Sequence, residues 1–117
     1  MTDEIRKCLT DIVISIDSID GYLANSRSYQ VYQTNKMLRR AIERELEIIG
    51  EATNNALRLD SSLSISNARR IVDTRNRIIH AYDAVNDTVV WSIVIKHLPI
   101  LKGEIVQLLE NANDSTA

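Results

Sequence analysis

The groups best suited to chemistry in this sequence lie in one eight-residue segment, RNRIIHAY at positions 75–82. It contains two cations, an amide, an imidazole and a phenol: Arg75, Arg77, Asn76, His80 and Tyr82. A guanidinium can grip a phosphate with two parallel hydrogen bonds. An imidazole can accept or donate a proton near neutral pH. Together these groups predict phosphodiester chemistry that requires no metal ion.

If the phosphodiester belongs to RNA, a role can be assigned to each group. His80 would take the proton from a ribose 2′-hydroxyl or give one to the leaving 5′-oxygen. Arg75 would hold the scissile phosphate and stabilise the extra negative charge of the transition state. Asn76 would fix the His80 ring or contact the phosphate, and Arg77 would bind a neighbouring phosphate. The expected product is a cyclic phosphate.

The spacing of these residues on a helix predicts a second copy of the chain. At about 100° per residue, Asn76 and His80 share one face, whereas Arg75 and His80 diverge by roughly 140°. One helix therefore does not direct both groups at one small site unless the long Arg75 side chain wraps round it. Two such helices across a two-fold axis would each bring an arginine and a histidine to one cleft. We therefore predict a homodimer with a composite site.

The same residues also admit plainer explanations. Arg75 and Arg77 could pair with Asp73 or Asp83 and do nothing else. Tyr82 could be a core residue with its hydroxyl at the rim. For the second histidine, His97, a position beside the terminal carbonyls of a helix is sufficient explanation. Four glutamates between positions 43 and 51 lack histidine partners, which argues against a metal site.

Long helices are expected to position this segment, because the chain has only three glycines and one proline. Apolar residues in the first helix recur at spacings of three and four, which is typical of one buried stripe: Ile5, Leu9, Ile12, Ile16, Ile19 and Leu23. After a turn at residues 25–28, a long second helix is predicted over residues 29–58. Its inner stripe is Leu38, Ile42, Leu46, Ile49, Thr53 and Ala56, and its charged outer face is predicted to be solvated.

The later elements follow from turn and cap signals. Residues 60–66 are rich in serine and predict a loop. Ser66 could cap a third helix over residues 67–82 that carries the reactive segment. Asn86 or Asp87 could cap a fourth, in which Pro99 is expected to cause a kink or a new start. These elements predict an all-α, antiparallel bundle of four or five helices in a single domain, residues 1–117, with a frayed tail at 111–117.

Composition and charge limit the kinds of site and the cellular location that are expected. The net charge is −2, so any site for a polyanion must come from a local basic patch. No apolar run approaches the roughly 20 residues of a membrane span, and the acidic N-terminus is unlike a signal peptide. The one cysteine, Cys8, excludes an internal disulfide. A cytoplasmic protein is expected.

Three blocks of this sequence resemble a known family. Arg75 and His80 with four residues between them match the R-x4-6-H signature of the HEPN superfamily, and the extension to Tyr82 matches the R-x4-H-x-Y form of HepT-like toxins. RAIERELEIIGEA at positions 40–52 resembles the second-helix block of HepT-like proteins. VWSIV at positions 90–94, followed by Leu98 and Pro99, resembles their C-terminal block. The resemblance extends from about residue 5 to residue 110.

The resemblance implies a helical homodimer that acts as a metal-independent endoribonuclease without a cofactor. It also implies the toxin of a type VII toxin–antitoxin pair, whose partner is a nucleotidyltransferase antitoxin of the MNT type. In this family the antitoxin transfers AMP from ATP to the motif tyrosine, here Tyr82. A bulky anion two residues beyond His80 would block the cleft and repel RNA phosphates.

Two other functions remain open at this point. The motif could serve a non-catalytic helical module that binds nucleotide or the nucleotidyltransferase partner. The chain could instead be a purely structural dimerisation bundle.

Overall fold

The fold consists of helices joined by short connections. The computed structural model describes residues 1–24, 26–80 and 87–114, and for residues 79, 80 and 114 it describes the backbone alone. The helices are α1 (Asp3–Tyr22), α2 (Tyr29–Thr34), α3 (Lys36–Leu59), α4 (Ala68–His80), α5 (Asp87–Ser92) and α6 (Leu98–Asp114). A π-helical turn, Ile93–His97, joins α5 to α6. Within these ranges there is no strand, and the predicted all-α fold is confirmed.

The core lies between α1, α3 and the C-terminal rod formed by α5, the π-helical turn and α6. The stripe predicted for α1 is buried along its whole length, and α1 packs against both α3 and α6. Two contacts show that α1 and α6 are antiparallel. Arg6 donates to Asn113 over 2.8 Å, and Lys102 forms an ion pair with Asp17 at 2.7 Å. On its other side α3 packs against α4, the helix that carries the predicted site.

The long second helix predicted for residues 29–58 is wrong in one respect, because it is interrupted at Asn35. The backbone of Asn35 is extended, with φ −109° and ψ 98°, and its side chain accepts a hydrogen bond from the Leu38 amide over 3.0 Å. An asparagine that caps the next turn in this way competes with helix continuation. The break separates the short α2 from α3. The inner stripe of α3 is buried as predicted, with Leu38 only partly covered.

The predicted cap of the third helix is also corrected. Ser66 does not cap α4, because its amide and hydroxyl both donate to the Glu104 carboxylate, over 2.9 and 3.0 Å. Asn67 has a φ of 56°, in the left-handed region that asparagine tolerates better than most residues, and α4 begins at Ala68. The contact with Glu104 ties the loop before α4 to α6. The predicted end of this helix, at residue 82, lies outside the described residues.

Pro99 lies in the first turn of α6, which begins at Leu98, as the second of the two predicted alternatives required. The π-helical turn comes just before it, and the Leu98 amide bonds to the Ile93 carbonyl, five residues back. This wider turn accommodates the proline ring, which in a regular α-helix clashes with the carbonyl four residues earlier. His97 is the last residue of the π-helical turn, close to the helix end that the sequence suggested, and α6 follows it directly. Its Nδ1 atom is buried and has no partner among the described residues.

A small aromatic cluster closes the end of the core beside α2. Tyr32 is fully buried, and its ring centroid lies 5.3 Å from that of Trp91 and 6.4 Å from that of Tyr29. Glu43, predicted to be solvated, is only 9% exposed and pairs with Arg40 at 3.3 Å. Burial raises the pKa of the Tyr32 phenol far above its ordinary value, and the negative charges of Asp87 and Glu43 raise it further.

The Tyr32 hydroxyl gives a stability prediction, since it is buried and has no hydrogen-bond partner among the described residues. An unpaired buried hydroxyl keeps its desolvation penalty, so Tyr32→Phe should raise the free energy of unfolding by roughly 1 kcal/mol. Tyr29→Phe is the matched control, because the Tyr29 hydroxyl is bonded to Thr88 Oγ1 at 3.2 Å, and it should give no gain. Urea unfolding measures both. A clear loss of stability in Tyr32→Phe would show that this hydroxyl is hydrogen-bonded in the folded protein.

Candidate functional site

The predicted site is carried by α4, whose inner side packs on α3. Ile71 and Thr74 are buried there, 3% and 8% exposed, and Ile78 packs against the same core. Their spacings of three and four residues define one buried stripe. The polar residues of the motif therefore lie beside this stripe or opposite it. Ile78 therefore anchors the reactive segment against the core.

Arg75 is placed by a close approach of α3 and α4 at Gly50. A Cβ atom at position 50 would lie 2.3 Å from the Arg75 Cβ, 2.9 Å from its Cγ and 3.2 Å from the Ile71 carbonyl oxygen. Carbon atoms do not approach so closely, so only glycine permits this helix spacing. The root of the Arg75 side chain thus rests directly on the backbone of α3, and its position is set by two packed helices.

The Arg75 guanidinium is joined to Asn76, the next residue of α4. Its Nη1 donates to Asn76 Oδ1 over 2.9 Å, and its Nε is buried without a partner among the described residues. Position 80 lies only about 40° from Asn76 on the helix wheel. The hydrogen bond therefore joins the cation of Arg75 to a residue on the face on which position 80 falls.

The other predicted residues are placed to different degrees. Asn76 is half-buried and holds Arg75, while Arg77 is exposed. Within the described part of the chain, neither arginine forms an ion pair with Asp73, so that plainer explanation fails. The other suggested partner, Asp83, lies outside the described residues.

The structure describes His80 only in part and does not describe Tyr82. His80 is the last residue of α4, and its side chain lies outside what the structure describes. Tyr82 lies wholly outside it. Their roles as catalytic base and modification site stay predictions.

A groove along α4 contains basic residues that the sequence analysis did not single out. It encloses about 520 Å³ between α4 and the start of the C-terminal rod, and it is lined by Asn67, Arg69, Arg70, Asp73, Thr74, Arg77, Val89 and Ile93. Arg69 and Arg70 share it with Arg77, and all three are exposed. A signal was present in the sequence, because positions 69, 73 and 77 repeat every four residues. Because the net charge is negative, a site for a polyanion requires a local basic patch, and this groove is such a patch.

Among the described residues, no three acidic, histidine or cysteine side chains come together in a way that could hold a metal ion. None of the helices described is long and apolar enough to cross a membrane.

The fold and the motif define an all-helical protein with a cation and an imidazole on one helix. The sequence profile of the family described as Ribonuclease HepT-like matches residues 12–108, which is most of the chain. The chain therefore belongs to the HepT-like family, as its three sequence blocks suggested. No solved structure gave a match.

Several curated proteins are similar to this chain. One from Thermococcus cleftensis, named "Probable ribonuclease HepT", is 32% identical over 104 residues, which are 86% of this chain and 91% of that protein. One from Methanocaldococcus jannaschii, named "Putative RNase", is 31% identical over 104 residues, 87% of this chain and 94% of that protein. Another from the same organism, named "Gamma-glutamylcyclotransferase and putative RNase", is 29% identical over 111 residues. The match covers 94% of this chain but only half the length of that relative.

The contact beneath Arg75 predicts the effect of one added methyl group. Gly50→Ala should lower the free energy of unfolding, because overpacking costs roughly 1–3 kcal/mol while the better helix propensity of alanine returns about 1 kcal/mol at most. Gly103→Ala is the matched control within α6, where an added Cβ meets nothing within 4 Å, and it should stabilise by about 0.5–1 kcal/mol. Thermal unfolding of both variants measures the difference. Equal gains at the two positions would show that α3 and α4 are farther apart than described.

Proposed function

We propose that this protein is a metal-independent endoribonuclease that acts in the cytoplasm as the toxin of a type VII toxin–antitoxin pair. The observation that carries the proposal is the position of Arg75. Its side-chain root is fixed on Gly50 and its guanidinium is joined to Asn76, within an R-x4-H-x-Y motif of a HepT-like chain. The names of the relatives, as ribonucleases, support the same activity.

The proposed reaction is an internal transfer at phosphorus. His80 removes the proton of the ribose 2′-hydroxyl, and the 2′-oxygen attacks the adjacent phosphorus. The bond from phosphorus to the 5′-oxygen breaks, and that oxygen leaves with a proton from an imidazole. Arg75 stabilises the additional negative charge on the phosphoryl oxygens. The products are a 2′,3′-cyclic phosphate and a free 5′-hydroxyl group.

Two copies of the chain form the proposed site. The outer face of α4 is not covered by α3, so a second copy can approach it about a two-fold axis. Each copy would then contribute Arg75 and His80 to one cleft, and one imidazole would act as base while the other acts as acid. Because Arg75 already bends towards Asn76, a site formed within a single copy is the rival arrangement.

Neutralisation is proposed to occur at Tyr82. A nucleotidyltransferase of the MNT type would direct the phenol oxygen at the α-phosphorus of ATP, with loss of pyrophosphate. The AMP attached to Tyr82 carries a negative charge close to the RNA path and fills the cleft. Tyr82 follows His80 by two residues, so the adduct would lie next to the proposed base.

The proposed mechanism predicts different effects of substituting the two histidines on the rate of RNA cleavage. Purified protein, free of antitoxin, should cleave RNA in the presence of EDTA and leave cyclic phosphate ends. His80→Ala should lower the cleavage rate about 10²–10⁴-fold, as expected for loss of a general base. Arg75→Ala should lower it about 10²–10³-fold through loss of charge stabilisation. His97→Ala removes the other histidine, which lies in the C-terminal rod, and should keep the activity.

Three other results of this assay would contradict parts of the proposed function. Undiminished cleavage by His80→Ala would remove that residue from the mechanism. Cleavage that is abolished by EDTA and restored by a divalent cation would contradict a metal-independent reaction. If the wild-type protein neither cleaves RNA nor inhibits growth, a nucleotide-binding or partner-binding module becomes the better description.

The proposed transfer of AMP to Tyr82 predicts an increase in the mass of the protein. In the presence of the cognate nucleotidyltransferase and ATP, the protein should gain the mass of one or more AMP units, as measured by intact-protein mass spectrometry. Tyr82→Phe should gain none and should remain toxic when the antitoxin is co-expressed. If Tyr82→Phe is neutralised as well as the wild type, the antitoxin inhibits by covering the site rather than by modifying it.

A further inference from the structure

The groove along α4 is a second place where a polyanion can bind. Arg69, Arg70 and Arg77 all line it, and none of the three is ion-paired with a residue in the described ranges. Elsewhere on the surface several cations are paired, for example Arg27 with Asp20 and Arg44 with Glu47. Three exposed guanidiniums in one groove make its local potential positive, and Asp73 offsets only part of that charge. This concentration of charge stands out on a chain whose net charge is −2.

The groove is close to the proposed reaction centre on the same helix. Position 69 lies only about 20° from position 80 on the helix wheel, and positions 73 and 77 lie within about 60° of it. Arg69 and Arg77 are eight residues apart, which corresponds to about 12 Å along the axis. A nucleic-acid strand that rises about 3.4 Å per nucleotide passes three to four phosphates over that length. The length and the charge of the groove therefore suit a short run of backbone phosphates.

We propose that this groove binds the phosphates of the RNA strand next to the cleaved linkage, through Arg69, Arg70 and Arg77. The inference rests on the proposed ribonuclease function for its choice of RNA. Arginine forks bind phosphate oxygens without reading the base, so the groove provides affinity and register but no sequence preference. Asp73 lies between Arg69 and Arg77 in the same groove and opposes an anion there. It therefore limits the affinity.

The test measures binding separately from cleavage. A fluorescent single-stranded 2′-O-methyl RNA cannot be cut by 2′-oxygen attack, so its anisotropy reports binding by the unaltered protein. The groove variant Arg69→Gln/Arg70→Gln/Arg77→Gln should weaken binding about 10- to 100-fold, since each exposed ion pair contributes about 0.5–1 kcal/mol. The slope of log affinity against log salt should fall by about 2, because three phosphate contacts are lost.

Two controls separate the groove from the overall charge. Arg27→Gln/Arg44→Gln/Arg58→Gln changes the net charge by the same amount at exposed arginines outside the groove, and it should bind almost as the wild type does. Asp73→Asn removes the opposing carboxylate and should tighten binding a few-fold. Circular dichroism confirms that each variant is folded. The Asp73 variant gains affinity if the proposal is right, so unfolding cannot imitate its result.

The outcomes decide the groove independently of the nuclease activity. Selective loss of RNA affinity in the groove variant, with a gain in Asp73→Asn, supports the proposal even if the wild-type protein proves unable to cleave RNA. Equal weakening by the groove and control variants would overturn it, because binding would then depend on total charge alone. Unchanged RNA binding combined with loss of antitoxin binding would also overturn it and would assign the groove to a protein partner.

Discussion

The approach of α4 to α3 at Gly50 is the constraint on which the rest of the site depends. Because no Cβ is present at that position, the Arg75 side chain can begin its path against the backbone of α3. The buried stripe of Ile71, Thr74 and Ile78 fixes the rotation of α4 about its own axis. With spacing and rotation both set by packing, the polar residues of α4 have defined directions. A site on rigid helices holds its groups more closely than one built on loops.

This packing also places the arginines of α4 in two different environments. Arg75 lies against α3, is half-buried and is held by Asn76, which suits a group that must meet charge at one point. Arg69, Arg70 and Arg77 lie in an open groove, which suits contacts with a flexible polyanion. The proposed binding of RNA by an acidic protein is physically reasonable, since the local field near a charged groove outweighs a small net charge spread over the surface.

Much of this arrangement could be predicted from the sequence, and the remainder could not for physical reasons. The buried stripes of α1 and α3 follow from spacings of three and four, and they were predicted residue by residue. The break at Asn35 was missed because helical periodicity continues past it, while one side-chain cap decides the outcome. Ser66 has the composition of a cap, but its bonds go to Glu104, which is 38 residues away in the sequence.

The direction of the Arg75 side chain belongs to the same class of long-range effects. The helix wheel places Arg75 and His80 far apart in angle, and it shows neither the close contact of Arg75 with Gly50 nor the hydrogen bond from its guanidinium to Asn76. Family blocks in the sequence supplied what the residues alone could not, namely the expected antitoxin partner and the expected modification of Tyr82.

The central claim is that two copies of α4 pool an arginine and a histidine around one RNA linkage. Complementation measures this most directly. Differently tagged Arg75→Ala and His80→Ala subunits are mixed, allowed to exchange, and purified through both tags before RNA cleavage is assayed. The account predicts that the mixed dimers cleave RNA far faster than either parent, since the shared cleft of a mixed dimer holds one arginine and one histidine, whereas each parent lacks one of these groups altogether. Mixed dimers as inactive as the parents would contradict it and place both groups of the site in a single copy.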